Sequence, residues 1–251
     1  MTPSTPGAPS WVDLGTADLA DAERFYTSLF GWSAEVSGDY VTFTLNGLPV
    51  AGAGPLYGAG QPTAWSTYIG TNDADGVAAR VAANGGKVLV PPFDVQEQGR
   101  MAAFLDPGGA PFSVWEPGTM RGAELFDAPG SVTWNELNTR DLDGAMGFYH
   151  AVFGWRFRNS SMSGVPYVVA KVHETPVCGL QQMLPDDWPD DVTPHWMVYF
   201  AVHDCDDAAE HTVALGGMVV QPPTTLPIGR YALLADPQGG LFSVLGAHGH
   251  D

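Results

Sequence analysis

Cysteine is scarce: Cys178 and Cys205 are the only two in 251 residues. Neither a disulfide framework nor a CxxC pair is present, which excludes a cysteine-stapled scaffold and a thiolate-ligated metal knot. Two buried free thiols in a reducing cytoplasm are expected, with no activating base beside either. Cations are scarce as well. Ten Lys and Arg stand against 28 Asp and Glu, for a net charge of −18. Such a field excludes nucleic acid, whose phosphates need basic side chains to displace counterions, and it repels anionic membranes. It suits a cationic ligand; an acidic surface also simply keeps a chain in solution. Residues 1–10 hold no apolar run and so no membrane span. Residues 1–10, rich in Pro, Ser and Thr without a basic n-region, read as a short disordered lead-in and not a signal peptide. P-loop, dinucleotide, HxxxH and EF-hand spacings are missing, so no cofactor is expected. Ser113 and Ser243 lack the flanking glycines of a nucleophile elbow.

What the chain does contain is a repeat. Residues 11–32 align without gaps to 134–155 and share 11 of 22 positions, from Trp11 and Trp134 through Phe25-Tyr26 and Phe148-Tyr149 to Trp32 and Trp155. Further matches keep the same order: Tyr40 with Tyr167, Trp65 and Tyr68 with Trp196 and Tyr199, Gly99-Arg100 with Gly229-Arg230, Asp106-Pro107 with Asp236-Pro237, and Phe112-Ser113-Val114 with Phe242-Ser243-Val244. A period this long marks duplication of a whole structural unit. The repeats span residues 11–118 and 131–245, joined by a linker at 119–130 and followed by a tail at 246–251.

Each repeat carries the same elements twice. An alternating strand at 11–16 precedes an amphipathic helix whose apolar stripe is Leu19, Ala22, Phe25, Tyr26, Leu29 and Phe30, with Asp18 as N-cap and Gly31 as stop. Residues 40–45 alternate as a strand, and Asn46-Gly47 is a two-residue hairpin signal. A weaker strand follows at 50–55. A strand at 65–69, a helix at 75–84 ended by Gly85-Gly86, and strands at 88–90, 100–105 and 112–115 repeat the plan. The prediction is an α+β chain of four βαβββ modules.

The helix ending Phe-Tyr-x-x-x-Phe-Gly-Trp and the closing Asp-Pro-x-Gly-x-x-Phe-Ser-Val strand resemble the vicinal oxygen chelate superfamily, the glyoxalase, bleomycin-resistance and extradiol-dioxygenase group. The chain is also similar to the superfamily's two-domain actinobacterial glyoxalase-like branch. The resemblance implies modules paired into two tandem domains, whose curved mixed sheets enclose cavities. It also implies His or Glu ligands on the first and last strands of each module. Carried over by position, those ligands fall on Trp11, Trp134, Ser113 and Ser243. Thr67 and Val198 fall on the first strands of the second modules, and Ala51 and Gly179 nearby. Indole binds no hard cation and serine alone binds one poorly, so no metal is expected. His195, His203 and His211 are evenly spaced but fall at a strand start, a strand end and a helix, where they do not converge.

Strand alternation then proposes a ligand face. Trp11 and Asp13 share it in the first repeat; Trp134, Glu136 and Asn138 share it in the second. The same parity, set by the tryptophans, adds Trp65 with Thr67 and Trp196 with Val198. Four tryptophans line an aromatic cavity, or they fill the space of a lost metal. Asp13 and Glu136 are candidate general bases beside Arg100 and Arg230, or else each repeat keeps a structural ion pair. Tyr231 replaces Met101 and Asn138 replaces Gly15, so the two repeats are expected to differ, the second being more polar. The expected partner is an aromatic or cationic small molecule, bound by a monomer or homodimer. An enzyme of the lyase or isomerase kind, and a purely structural protein, are the alternatives.

Overall fold

The structure is a computed structural model and describes residues 5–56, 58, 60–161 and 164–246. Four βαβββ modules follow one another. The first comprises β1 (Pro9–Thr16), α1 (Leu19–Phe30), β2 (Ser33–Ser37), β3 (Tyr40–Leu45) and β4 (Leu48–Pro55). The second comprises β5 (Ala64–Gly70), α2 (Ala74–Ala83), β6 (Lys87–Val95), β7 (Gly99–Leu105) and β8 (Pro111–Pro117). The third comprises β9 (Val132–Thr139), α3 (Leu142–Phe153), β10 (Arg156–Asn159), β11 (Tyr167–Val172) and β12 (Thr175–Gln182). The fourth comprises β13 (His195–Val202), α4 (Cys205–Ala214), β14 (Met218–Leu226), β15 (Gly229–Ala235) and β16 (Leu241–Gly246).

One chemistry opens all four helices: Asp18, Asp73, Asp141 and Asp204 each accept a first-turn backbone N–H, satisfying a donor the helix cannot. Gly31 and Gly154 close α1 and α3 in the left-handed region. Asn46 and Gly47, at φ 55° and 77°, make the tight turn joining β3 to β4. In every module the first strand runs parallel to the last, Asp13 lying opposite Gly52 and Glu136 opposite Gly179 in two of them. The strands form two eight-stranded mixed sheets, ordered β2-β3-β4-β1-β5-β8-β7-β6 and β10-β11-β12-β9-β13-β16-β15-β14. The predicted α+β architecture is the observed one.

Packing groups the modules differently from the sequence. Among the described residues, one compact unit holds those up to 11 together with 67–122 and 134–197; the other holds 12–66, 123–133 and those from 198 onward. Each unit buries its own core. The first is built around Phe104, Phe112, Leu137, Phe148, Tyr149, Trp155 and Leu180, with Tyr149 and Trp155 stacked at 5.0 Å and 13°. The second is built around Leu14, Phe25, Tyr26, Trp32, Phe43, Phe200 and Phe242.

Two expected loose segments are part of this packing. The lead-in expectation is corrected for residues 5–10: Gly7 donates to Gly70 O at 2.8 Å, Ala8 is buried, and β1 begins at Pro9. The carbonyl of Gly7 accepts the Trp155 indole N–H at 2.6 Å, and in the other unit Gly130, from the expected linker, accepts that of Trp32 at 2.6 Å. Gly7 and Gly130 stand four residues before Trp11 and Trp134 and share a left-handed φ, 87° and 85°. The repeat therefore starts four residues earlier than its tryptophans. The last tail residues, His248 and His250 among them, lie outside the described residues.

Candidate functional site

Alternation gives each module one face packed on helices and one turned away from them. Val12, Leu14 and Leu137 point into the cores, so Trp11, Asp13, Trp134, Glu136 and Asn138 emerge on the helix-free face.

On the third module this face carries a hydrogen-bonded relay. The Trp134 indole donates to the Tyr167 hydroxyl at 3.0 Å, and that hydroxyl donates to the Glu136 carboxylate. Burial first, and the Glu136 charge second, hold the Tyr167 phenol far above its ordinary pKa, so it stays a neutral donor. Glu136 and Asn138 are buried, 8% and 3% exposed. Gln181 reaches Asn138 at 3.4 Å. Tyr167 fits because Gly179 has no side chain: a Cβ there would collide with the phenol and lie 2.9 Å from the Trp134 indole nitrogen.

The first module keeps the outline with less in it. Tyr40 donates to Asp13 at 3.4 Å and lies over Gly52 in the same way, and beyond it Gly15 and Gly54 stand where the third module has Asn138 and Gln181. Tyr40 and Tyr167 were matched in the sequence but not assigned to a site. The Gly diagonal to each across the strand pair, needed for close approach, was the available signal.

Four placements are corrected. Trp65, Thr67, Trp196 and Val198 turn into the cores. Trp65 donates to Tyr26 at 3.0 Å and Trp196 to Tyr149 at 3.1 Å. The two tyrosines in turn donate to the buried turn carboxylates Asp236 and Asp106 at 2.9 and 3.2 Å. Thr67 donates to Asn135 at 2.9 Å, and Val198 is fully buried. These residues share the parity of Ile69 and Phe200, both in the cores. Burial of the more apolar row sets the orientation. Tyr68 and Tyr199 take the helix-free face instead.

The arginines are corrected too. Arg100 and Arg230 share the parity of Ala102 and Ala232, which are fully buried. They leave the sheet on the helix side. Arg100 pairs with Asp75 at the start of α2 and with Asp94, at 3.0 and 2.9 Å. Arg230 donates to Asp206 at the start of α4 at 2.8 Å and to Thr225 at 3.1 Å. They brace helices and are not the cationic partners of Asp13 and Glu136.

Ser113, Ser243 and Tyr231 lie on the helix-free face, since their neighbours Phe112, Val114, Phe242, Val244 and Ala232 fill the cores. Tyr231 lies against Tyr199, ring centres 5.8 Å apart. Trp115, which escaped the sequence analysis, shares this face in the second module and donates to Met120 O at 2.9 Å. Of the two hollows, a crevice of about 20 Å³ by Thr71 and Arg121 is lined in part by Trp115, and an open groove of about 420 Å³ by Ala209 and Val213 holds none of these residues.

The positions where metal-using relatives would place ligands thus carry Trp11, Trp134, Ser113 and Ser243. Among the described residues no three His, Cys, Asp or Glu gather as a metal site. The Trp134 ring nitrogen is a donor committed to Tyr167. This donor set does not fit a divalent ion.

Four βαβββ modules in two mixed sheets, with side chains of neighbouring strands converging on the helix-free faces, define a glyoxalase-type fold. The family model described as Glyoxalase/Bleomycin resistance protein/Dioxygenase superfamily matches residues 9–114 and 131–244, and the chain belongs to that superfamily. It is 44% identical to "Anthracycline biosynthesis protein DauV" of Streptomyces sp. (strain C5), over 98% of this chain and 95% of the relative. It is 42% identical to "Putative glyoxylase CFP32" of Mycobacterium tuberculosis (strain CDC 1551 / Oshkosh), over 95% and 94%. The Mn(II)-bound glyoxalase of Novosphingobium aromaticivorans shares the fold at 16% identity, with a TM-score of 0.68 and coverage of 97% and 83%. The 2,3-dioxygenase LapB of Pseudomonas sp. KL28 does so at 14%, with a TM-score of 0.65 and coverage of 100% and 95%. No helix among the described residues is long and apolar enough to cross a membrane.

Proposed function

We propose that the protein binds an aromatic or cationic small molecule without a metal, holding a metabolite or natural product and sequestering it. The observation that carries this is the relay of Trp134, Tyr167 and Glu136 on the helix-free face of the third module. An indole offers a flat apolar surface, and a nearby carboxylate attracts a ligand cation. The net charge of −18 favours the same cation at longer range. The name of one relative ties it to anthracycline biosynthesis, and an anthracycline is a fused-ring aromatic compound.

The test is thermal unfolding of chelator-treated protein against a panel of aromatic and cationic compounds. A ligand that binds only the native state at 100 times its Kd adds about 2.7 kcal/mol of stability. A rise in Tm without metal is expected; a panel that moves nothing unless metal is restored overturns the proposal.

A second reading, a glyoxalase-like lyase or isomerase acting on a small carbonyl or aromatic substrate, draws on Glu136 and Tyr167. A buried carboxylate beside a neutral phenol can take a proton while the phenol donates a hydrogen bond. It requires turnover that Glu136→Gln abolishes while binding survives.

A further inference from the structure

Among the strands of the fourth module, one polar atom stands out chemically. The Ser243 hydroxyl is completely buried and has no hydrogen-bond partner. A buried unpaired hydroxyl is a stability cost, and an apolar residue of the same shape would avoid it. Ser243 lies on the helix-free side, because Phe242 and Val244 beside it enter the core. Its register partners are Tyr199 on one side and Leu233 on the other. Tyr231 lies opposite Leu245 on the same face, and its ring leans on Tyr199 at 32°. The result is an aromatic and aliphatic platform with one unspent hydroxyl, the composition of a site that binds a flat ligand and reads one polar group on it.

The first repeat lacks this platform. There Met101, Ala103 and Trp115 replace Tyr231, Leu233 and Leu245, and the Trp115 indole N–H is committed to a backbone carbonyl.

We infer that Ser243, Tyr199 and Tyr231 form a ligand subsite of the second repeat, which selects planar aromatic compounds bearing a phenol or quinone oxygen. The rings stack on the tyrosine pair, and the ligand oxygen supplies the partner that Ser243 lacks. Since the hydroxyl is covered in the free chain, a covering side chain shifts as the ligand enters. The inference rests on the small-molecule-binding proposal above and adds its chemical class.

The experiment is titration of the full chain, in chelator, with the dihydroxyanthraquinone alizarin, followed by tryptophan fluorescence quenching. Urea denaturation of the same proteins runs alongside. Ser243→Ala should bind alizarin about fivefold to tenfold more weakly, the loss of one hydrogen bond. Its free form should be at least as stable as wild type. Tyr231→Met, which copies the first repeat, should also weaken binding. A purely structural serine would give the reverse: lower stability and unchanged affinity. If Ser243→Ala binds like wild type, the subsite is wrong while the binding proposal stands. If wild type binds no aromatic compound at all, both fail.

Discussion

Tyr167 and Gly179 fit by subtraction: the tyrosine hydroxyl occupies the space in which a Gly179 side chain would begin. The same relation holds between Tyr40 and Gly52. Gly179→Ala should therefore expel the phenol and break its bonds to Trp134 and Glu136. Overpacking of this kind costs about 1–3 kcal/mol. Urea denaturation should show that loss, and ligand affinity should fall with it. An alanine variant with wild-type stability and affinity would contradict the relay.

Much of this was legible in the sequence. The helix caps at Asp18 and Gly31, the Asn46-Gly47 turn and the four-module plan depend on local chemistry and a repeat that aligns with itself. The faces of β1 and β9 were readable because Leu14 and Leu137 leave one parity for the core. The faces of β5 and β13 were misassigned because tryptophan, apolar with a polar edge, suits a ligand face and a core alike. Only the hydroxyls of Tyr26 and Tyr149, brought there by helices forty or so residues away, show which it is. Arg100 and Arg230 were misplaced because their partners Asp75 and Asp206 are distant in sequence. The grouping of modules into compact units is not local at all, since it depends on which apolar faces meet.

A buried polar pair distinguishes the two units. Thr67 donates to Asn135 in one core, and the Asn135 amide nitrogen has no partner. Valines hold the matched positions, Val12 and Val198, in the other. Asn135→Val alone should destabilise by about 1–3 kcal/mol, because it strands the Thr67 hydroxyl. Adding Thr67→Val should recover that loss or exceed wild type, so a double-mutant cycle by urea denaturation should be strongly non-additive. Simple additivity would contradict the pairing.

Buried Asp106 sets one pH dependence. Burial holds its pKa above the ordinary carboxylate value, against the lowering effect of backbone N–H groups and the Tyr149 hydroxyl. A carboxyl whose folded pKa exceeds its unfolded value stabilises most below the unfolded pKa, and the advantage is lost as pH rises through the folded one. Tyr149→Phe removes a donor to the carboxylate and leaves the Trp196 indole unpaired. Its destabilisation should be larger at pH 7 than near about pH 2, below the ordinary carboxylate value, where Asp106 is protonated in both states. Equal losses at the two pH values would show that the hydroxyl does not support the charge.

Asp206 has the opposite sign. The Arg230 guanidinium holds its carboxyl below the ordinary value. That contribution is present above the unfolded pKa and disappears as pH falls through the folded one. Arg230→Met should lower Tm at neutral pH and converge on wild type at acid pH. Ligand affinity should not change, since Arg230 leaves the sheet on the helix side.

The central claim is that the helix-free faces bind their ligand with side chains alone. Calorimetric titration of chelator-treated protein with alizarin, before and after addition of stoichiometric Mn(II), tests it most directly. The account predicts one unchanged affinity in both titrations. Binding that appears only with the metal would contradict it.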